Sequence, residues 1–335
     1  MNNILHRKNP EHRNLSSENS GRLPNPNAMV QLLCTHLRNE EWVKKIFLFL
    51  FIVLSIFAIT NSLNAQWVQV NNGLPSNVGI TALATYGTNI FAGTLNSGVF
   101  LSTNGGTSWS PVNNGLANLQ VQTLAVSGNY IYAGTNGNGV YRSSDLGSSW
   151  QPVNTGLTNL QITYLYVSGN YIFAGTYGGG IFRLPINGSN WTQVNYGLTT
   201  LNINAFVFNG QYLFAGGAGL FRSTNFGSNW QQISNFNNIW VHTIAILGTN
   251  VYVGTEYNGV YRSTDNGNTW TQINNGLPNL IVQSLYVVGT SIFAGTNGGV
   301  YLSTDNGDSW SYADLNKIAF SFVTLGADIY AGTGF

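Results

Sequence analysis

Residues 140–153 read Val-Tyr-Arg-Ser-Ser-Asp-Leu-Gly-Ser-Ser-Trp-Gln-Pro-Val. Residues 140–142 are β-prone, residues 143–147 gather types that turn a chain, and Trp150 opens a second β-prone run. The arrangement returns along the chain. Seven of the nine tryptophans, Trp67, Trp109, Trp150, Trp191, Trp230, Trp270 and Trp310, are spaced by 42, 41, 41, 39, 40 and 40 residues. A fixed period of this size marks one repeated supersecondary unit, and about 40–45 residues suits a four-stranded propeller blade.

Outward from that stretch, residues 122–126 and 130–133 supply two more strands, joined by a turn at Ser127-Gly-Asn129. The glycine-rich segment 134–139 leads into the third strand, and residues 154–157 carry the chain to the next unit. Blades pack on both faces, so their strands are expected to be apolar almost throughout. Six complete units run from about residue 80 to residue 314, residues 320–325 and 329–331 repeat the first two strands, and residues 67–70 form an isolated fourth strand. The expected fold is an all-β propeller of seven blades, each of four antiparallel strands. Six are complete, and the seventh is split between the termini and lacks its third strand. Pairing of the ends would seal edges that otherwise invite aggregation. The gap predicts that the 66–335 propeller is C-terminally truncated and that the native chain continues past Phe335.

Residues 1–65 read as a leader. Lys44 and Lys45 precede an apolar core at 46–60, and small and polar residues follow up to Ala65. That is the order of a secretory signal peptide cleaved near Ala65, with an uncleaved anchor as the alternative. Met29 offers a second possible start. The expected location is secreted, periplasmic or at the cell surface.

Seven of the twelve Lys/Arg and the only cysteine, Cys34, lie in the leader. The remaining 270 residues hold five basic and seven acidic groups, far below the quarter usual for soluble proteins. Such a surface has no basic stripe for phosphates, so nucleic acid is not an expected partner. With one histidine and no cysteine after Ala65, neither a metal centre nor a cofactor is expected.

The turn before the tryptophan repeatedly matches Ser/Thr-x-Asp/Asn-x-Gly-x-x-Trp, starting at Ser102, Ser143, Ser223, Ser263 and Ser303. The unit ending at Trp191 keeps only Gly188 and the tryptophan. The pattern resembles the Asp-box, or bacterial neuraminidase repeat, of a family that includes sialidases, xyloglucan hydrolases, sortilin-type receptors and photosystem II assembly factors. The resemblance spans nearly all of residues 67–335 and implies a structural role for the boxes. The side-chain acceptors Asn104, Asp145, Asn225, Asp265 and Asp305 suit bonds to their own turns. The glycines Gly106, Gly147, Gly227, Gly267 and Gly307 tolerate positive φ. Trp109, Trp150, Trp230, Trp270 and Trp310 suit the core. Asn replaces Asp twice, so the charge is not required.

A sialidase would need three arginines converging on a carboxylate, a Tyr/Glu nucleophile pair and an aspartate acid/base. Here Arg142, Arg183, Arg222 and Arg262 occupy one repeat-equivalent position far from the axis. Glycoside hydrolysis in general needs two carboxylates about 5–10 Å apart. Outside the box acceptors only Glu256, Asp308, Asp314 and Asp328 remain, and Glu256 and Asp314 belong to loops more than one blade apart. No residue is therefore assigned to catalysis. A binding role asks less. Tyr177, Tyr196, Phe236, Trp240 and Tyr257 are expected on the loop-bearing face, and Thr81, Gln122, Thr163, Asn204, His242, Gln283 and Phe320 near the channel mouth. His242 and Glu256 break the repeat in the same blade. The ligand-binding candidates are Glu256, Tyr257, His242, Trp240 and Tyr177. The expected function is non-catalytic binding of an extracellular glycan or protein, with a glycoside hydrolase as the alternative and membrane contact only through an uncleaved signal segment.

Overall fold

The computed structural model describes residues 4–8 and 66–334. The signal segment at 46–60 and the cleavage position at Ala65 lie outside the described residues. Seven four-stranded antiparallel sheets follow one another along the chain. Their inner strands are Ile80–Tyr86, Val121–Ser127, Ile162–Ser168, Ile203–Phe208, Val241–Leu247, Val282–Val288 and Ala319–Leu325, which define the first to seventh blades.

The second strands explain the near-continuous apolar sequence. Tyr171–Thr176, for example, is buried from Ile172 onward, because one face meets the blade before and the other the blade after. Buried side chains accordingly fall into seven clusters, each straddling one pair of adjacent blades. The ring is held by its junctions.

The seventh sheet joins the ends of the chain, as expected, but its third position is filled. Ile4–Lys8 lies between Asp328–Thr333 and Val68–Gln69 and pairs antiparallel with both. This corrects the expected gap, and with it the reading of residues 4–8 as part of a leader. Leu5 faces Ala331 as Tyr141 faces Ala133 in the second blade, so Ile4, Leu5 and His6 take the places of Val140, Tyr141 and Arg142. Ile4 and Leu5 are buried, His6 stacks on Tyr330, and its Nε2 lies 2.9 Å from Asp328.

The box turns are closed by side chains. In the fifth blade Ser263 Oγ donates to Asp265 Oδ1 and accepts from the buried N–H of Gly267, while Asp265 accepts from Thr269 N–H and Oγ1–H. Asn225 accepts the equivalent bonds from Ser223 Oγ–H and Asn229 N–H through its amide oxygen, so those two bonds need an acceptor and not a charge. These bonds hold the carboxyls of Asp265 and Asp305 down at about 2, with Thr269 and Ser309 as the leading donors. Folding therefore favours the ionised form, and the resulting stability is present above about pH 3.8 and is lost as the pH falls through about 2. The Asp265→Asn/Asp305→Asn protein should keep its melting temperature at pH 7 and show a shallower decline between about pH 4 and 2. Thermal melts across that range provide the check. Ser263→Ala leaves the Gly267 N–H buried without its partner, and should cost about 1–3 kcal/mol by denaturant titration.

The four arginines do not converge. Arg142, Arg183 and Arg222 stack at 4.5–4.7 Å on Tyr130, Tyr171 and Tyr212 of their own blades. Arg183, Arg222 and Arg262 then donate to the carbonyls of Phe226, Asn266 and Asn306, one box further on. They latch successive blades together. The degenerate third box has Leu184, wholly buried, where the others have serine.

Candidate functional site

Each inner strand carries a register shift near its start. The shifts lie between Ile80 and Ala82, Val121 and Thr123, Ile162 and Tyr164, Ile203 and Ala205, Val241 and Thr243, Val282 and Ser284, and Ala319 and Ser321. The residues left over are Thr81, Gln122, Thr163, Asn204, His242, Gln283 and Phe320. A bulge of this kind re-aims a side chain out of the strand's alternation. All seven line one cavity of about 810 Å³, which is the channel. Its wall is uneven. Phe320, Phe322, Leu83, Leu95 and Tyr286 make one side apolar, and Gln122, Thr163, Asn204, His242 and Gln283 contribute amides, a hydroxyl and an imidazole. Tyr164 stands where the other blades have a small residue; enclosure by the channel walls, with a contribution from Tyr166, pushes its phenol up.

Side chains also stitch the inner strands together. Thr81 and Thr163 donate to Val121 O and Ile203 O, and Ser284 donates to Ala319 O. Thr123, Thr243 and Ser321 accept from the N–H groups of Leu165, Leu285 and Leu83. Six of the seven junctions are linked this way. At the fourth–fifth junction no such link occurs among the described residues; Ala205, like Ala82 of the first blade, has no hydroxyl where Thr123, Thr243 and Ser321 have one.

The same junction lacks three other devices. Thr94, Thr135, Thr176, Thr255 and Thr296 each close the loop between second and third strands by donating to a glycine carbonyl. The fourth blade has Gly217 there, followed by Ala218 alone before Gly219, and a Cβ at Gly217 would lie 1.8 Å from Asn202 O. Asn113, Asn154, Asn195 and Asn274 each brace the third strand of their blade through its backbone N–H, whereas the fourth blade has Ser234 at that position. Finally, the linker that turns through Asn-x-Gly-Leu after five of the blades is here a short 3₁₀ helix, Ser234–Phe236, while the sixth blade departs differently, with Asp314-Leu-Asn-Lys317. Phe236, expected on the surface, is wholly buried and meets Tyr261 and Trp270 edge-on at 5.2 and 5.0 Å. Trp270 consequently bonds Gly267 O in its own turn, whereas Trp150, Trp191, Trp230 and Trp310 reach the preceding blade's outer strand.

Of the sequence-derived candidates, Trp240, His242, Glu256 and Tyr257 lie at this irregular junction, and Tyr177 lies on the third blade's loop. Trp240 emerges from the altered linker, bridges Ala218, and accepts at its carbonyl from the Glu256 N–H. Tyr177, Trp240 and His242 line a second hollow of about 580 Å³ at the mouth, with Gln122, Asn204 and Gln283. Burial lowers the pKa of His242, against the opposing charge of nearby Glu256, and His242 Nε2 is buried without a hydrogen-bond partner among the described residues. Glu256 also raises the phenol of Tyr257 by hydrogen bonding and charge. Tyr177 and Tyr257 are 57% and 67% exposed. Glu256, Tyr257 and the highly exposed Tyr196 line neither hollow. Sequence reasoning missed the shortened loop at Ala218 and the bulges; the local loss of the Asn-x-Gly-Leu linker was the available signal.

The family model for the BNR-Asp box repeat matches residues 220–233, the third strand, box turn and tryptophan of the fourth blade. The chain is a seven-bladed propeller, and its fourth blade matches the BNR-Asp box repeat. Solved propellers share its architecture. The BT4673 extracellular domain from B. thetaiotaomicron superposes with a TM-score of 0.67 at 17% identity, over 78% of this chain and 38% of that one. YCF48 bound to D1 peptide gives 0.63 at 14% identity, over 78% and 96%. The GH74 xyloglucanase from Xanthomonas campestris gives 0.61 at 17%, over 75% and 50%. A search of curated proteins returns no match. At these identities the likeness shows the fold of the Asp-box propeller and leaves its chemistry to its own residues.

Among the described residues of the propeller, the carboxylates are dispersed. Asp145, Asp265 and Asp305 are held in box turns, Asp308 pairs with Arg262 at 2.7 Å, and Asp328 with His6. Asp314 is on the last strand of the sixth blade, next to Leu315. Glu256 alone belongs to the mouth group. No cluster of three or more His, Cys, Asp or Glu suited to a metal occurs among the described residues.

Proposed function

We propose that this chain is an extracellular, non-catalytic binding propeller for a carbohydrate or protein ligand, engaged at the mouth above the fourth–fifth junction. Tyr177, Trp240, His242, Glu256 and Tyr257 form the site. The observation that carries this reading is the coincidence at one junction of a missing hydroxyl link, a shortened loop and a rebuilt linker, beside Trp240, His242, Glu256 and Tyr257, with Tyr177 reaching the mouth from the third blade. Single departures occur elsewhere, at the third box and after the sixth blade's Trp310, but among the described residues they coincide only here, and aromatic faces beside a few polar groups are common features of ligand sites. An extracellular location is supported by likeness to an extracellular domain. A glycoside hydrolase is the second reading, favoured by likeness to a xyloglucanase, but a single carboxylate at the mouth supplies half of the usual pair.

The test combines retention on immobilised glycans and peptides with an assay for release of reducing ends. Trp240→Ala and Tyr257→Ala should each weaken retention at least tenfold without turnover in any sample. Turnover that disappears in Glu256→Gln would reverse the assignment in favour of the hydrolase.

A further inference from the structure

Resting on the binding reading above, we infer that the ligand is a neutral saccharide whose end enters the channel, with charged sugars excluded. Three observations on the cavity carry this. First, its lining contains no Asp, Glu, Lys or Arg, over a volume of about 810 Å³, within the range of small-molecule sites. A sialic acid, uronate or phosphate would leave water without an ion to meet it, and Glu256 at the mouth would repel it. An uncompensated charge is costly to desolvate, so discrimination comes from the absence of a partner.

Second, the wall matches a sugar's two surfaces. Phe320 is 40% exposed and Phe322 lies close by, giving an apolar side to a pyranose face. Asn204 and Gln283, half-buried on the bulged positions, offer amide groups to its hydroxyls, and Thr163, whose hydroxyl hydrogen goes to Ile203 O, offers an acceptor. Polar groups that a bound ligand covers reject one that fails to pair with them.

Third, a peptide added as a strand would need free backbone edges. Six of the seven inner-strand junctions already have edge N–H or C=O groups bonded by neighbouring Thr and Ser hydroxyls. Strand addition is therefore disfavoured at those six junctions. Recognition falls to side chains, and these are amides, hydroxyls and aromatics.

The experiment is calorimetric titration of the whole chain with neutral gluco- and manno-oligosaccharides, sialyllactose, galacturonate oligomers and uncharged peptides, at 50 and 500 mM salt. At least one neutral saccharide should bind, equally at both salts, and Asn204→Ala and Phe320→Ala should each weaken it tenfold or more. Phe320→Leu, which keeps the apolar wall, should lose less than either, and Tyr312→Ala should bind normally. Far-ultraviolet circular dichroism establishes that each variant folds. Binding of only acidic sugars or peptides overturns the inference, as does no binding at millimolar concentration, or neutral binding untouched in Asn204→Ala and Phe320→Ala. Peptide binding that is lost in Trp240→Ala alone would overturn the saccharide and leave the mouth intact. Turnover of a neutral glycan would do the reverse.

Discussion

Trp150→Ala is expected to lower the unfolding free energy by about 3–5 kcal/mol, the usual range for emptying a buried aromatic site. Trp150 is 1% exposed and wedges between the first two blades, among Phe91, Val121, Leu124 and Ile131. Its Nε1–H also satisfies the carbonyl of Val112 in the preceding blade at 2.7 Å. Deletion thus leaves a void and an unpaired acceptor at a junction, where adjacent blades are held together. Trp270→Ala should cost less, because Trp270 is only half-buried and bonds within its own turn. Guanidinium titrations of both proteins decide the matter. Equal losses would mean that the tryptophans do not act as wedges between blades.

Phe236→Ala should match the first loss in size, again about 3–5 kcal/mol, and should carry a second effect that Trp150→Ala lacks. Phe236 is the wholly buried pivot of the altered linker, and four residues on is Trp240 at the mouth. Emptying the site frees the linker to move, so binding at the mouth should fall with stability. Trp240→Ala separates the two effects, with binding lost and the denaturation midpoint changed little. A Phe236→Ala protein of normal stability would show that the linker is held by something other than this ring.

The period and the box turns were legible because they depend on local chemistry. A tryptophan every 39–42 residues and a turn that needs a short acceptor and a glycine are visible in the chain itself. The channel ring was legible as a repeat-equivalent series, but its cause was not. Bulges at Thr81 through Phe320 are produced by pairing with the second strand and leave no pattern in one strand's own residues. Burial of Phe236 was misread for a related reason: an aromatic among Ser and Asn looks like a loop residue until the neighbouring blade's Trp270 and Tyr261 are in place. Ile4–Lys8 was the hardest element to foresee. Its Ile-Leu-His run does resemble Val-Tyr-Arg, yet 59 residues separate it from Val68.

The location of the site is tested most directly by hydrogen–deuterium exchange of the full chain, with and without the oligosaccharide that binds best. Protection is expected in residues 217–219, 240–243 and 255–259, at the fourth–fifth junction, with the box turns unchanged. Protection confined to the box turns, or spread evenly over all seven blades, would contradict a site built at that junction.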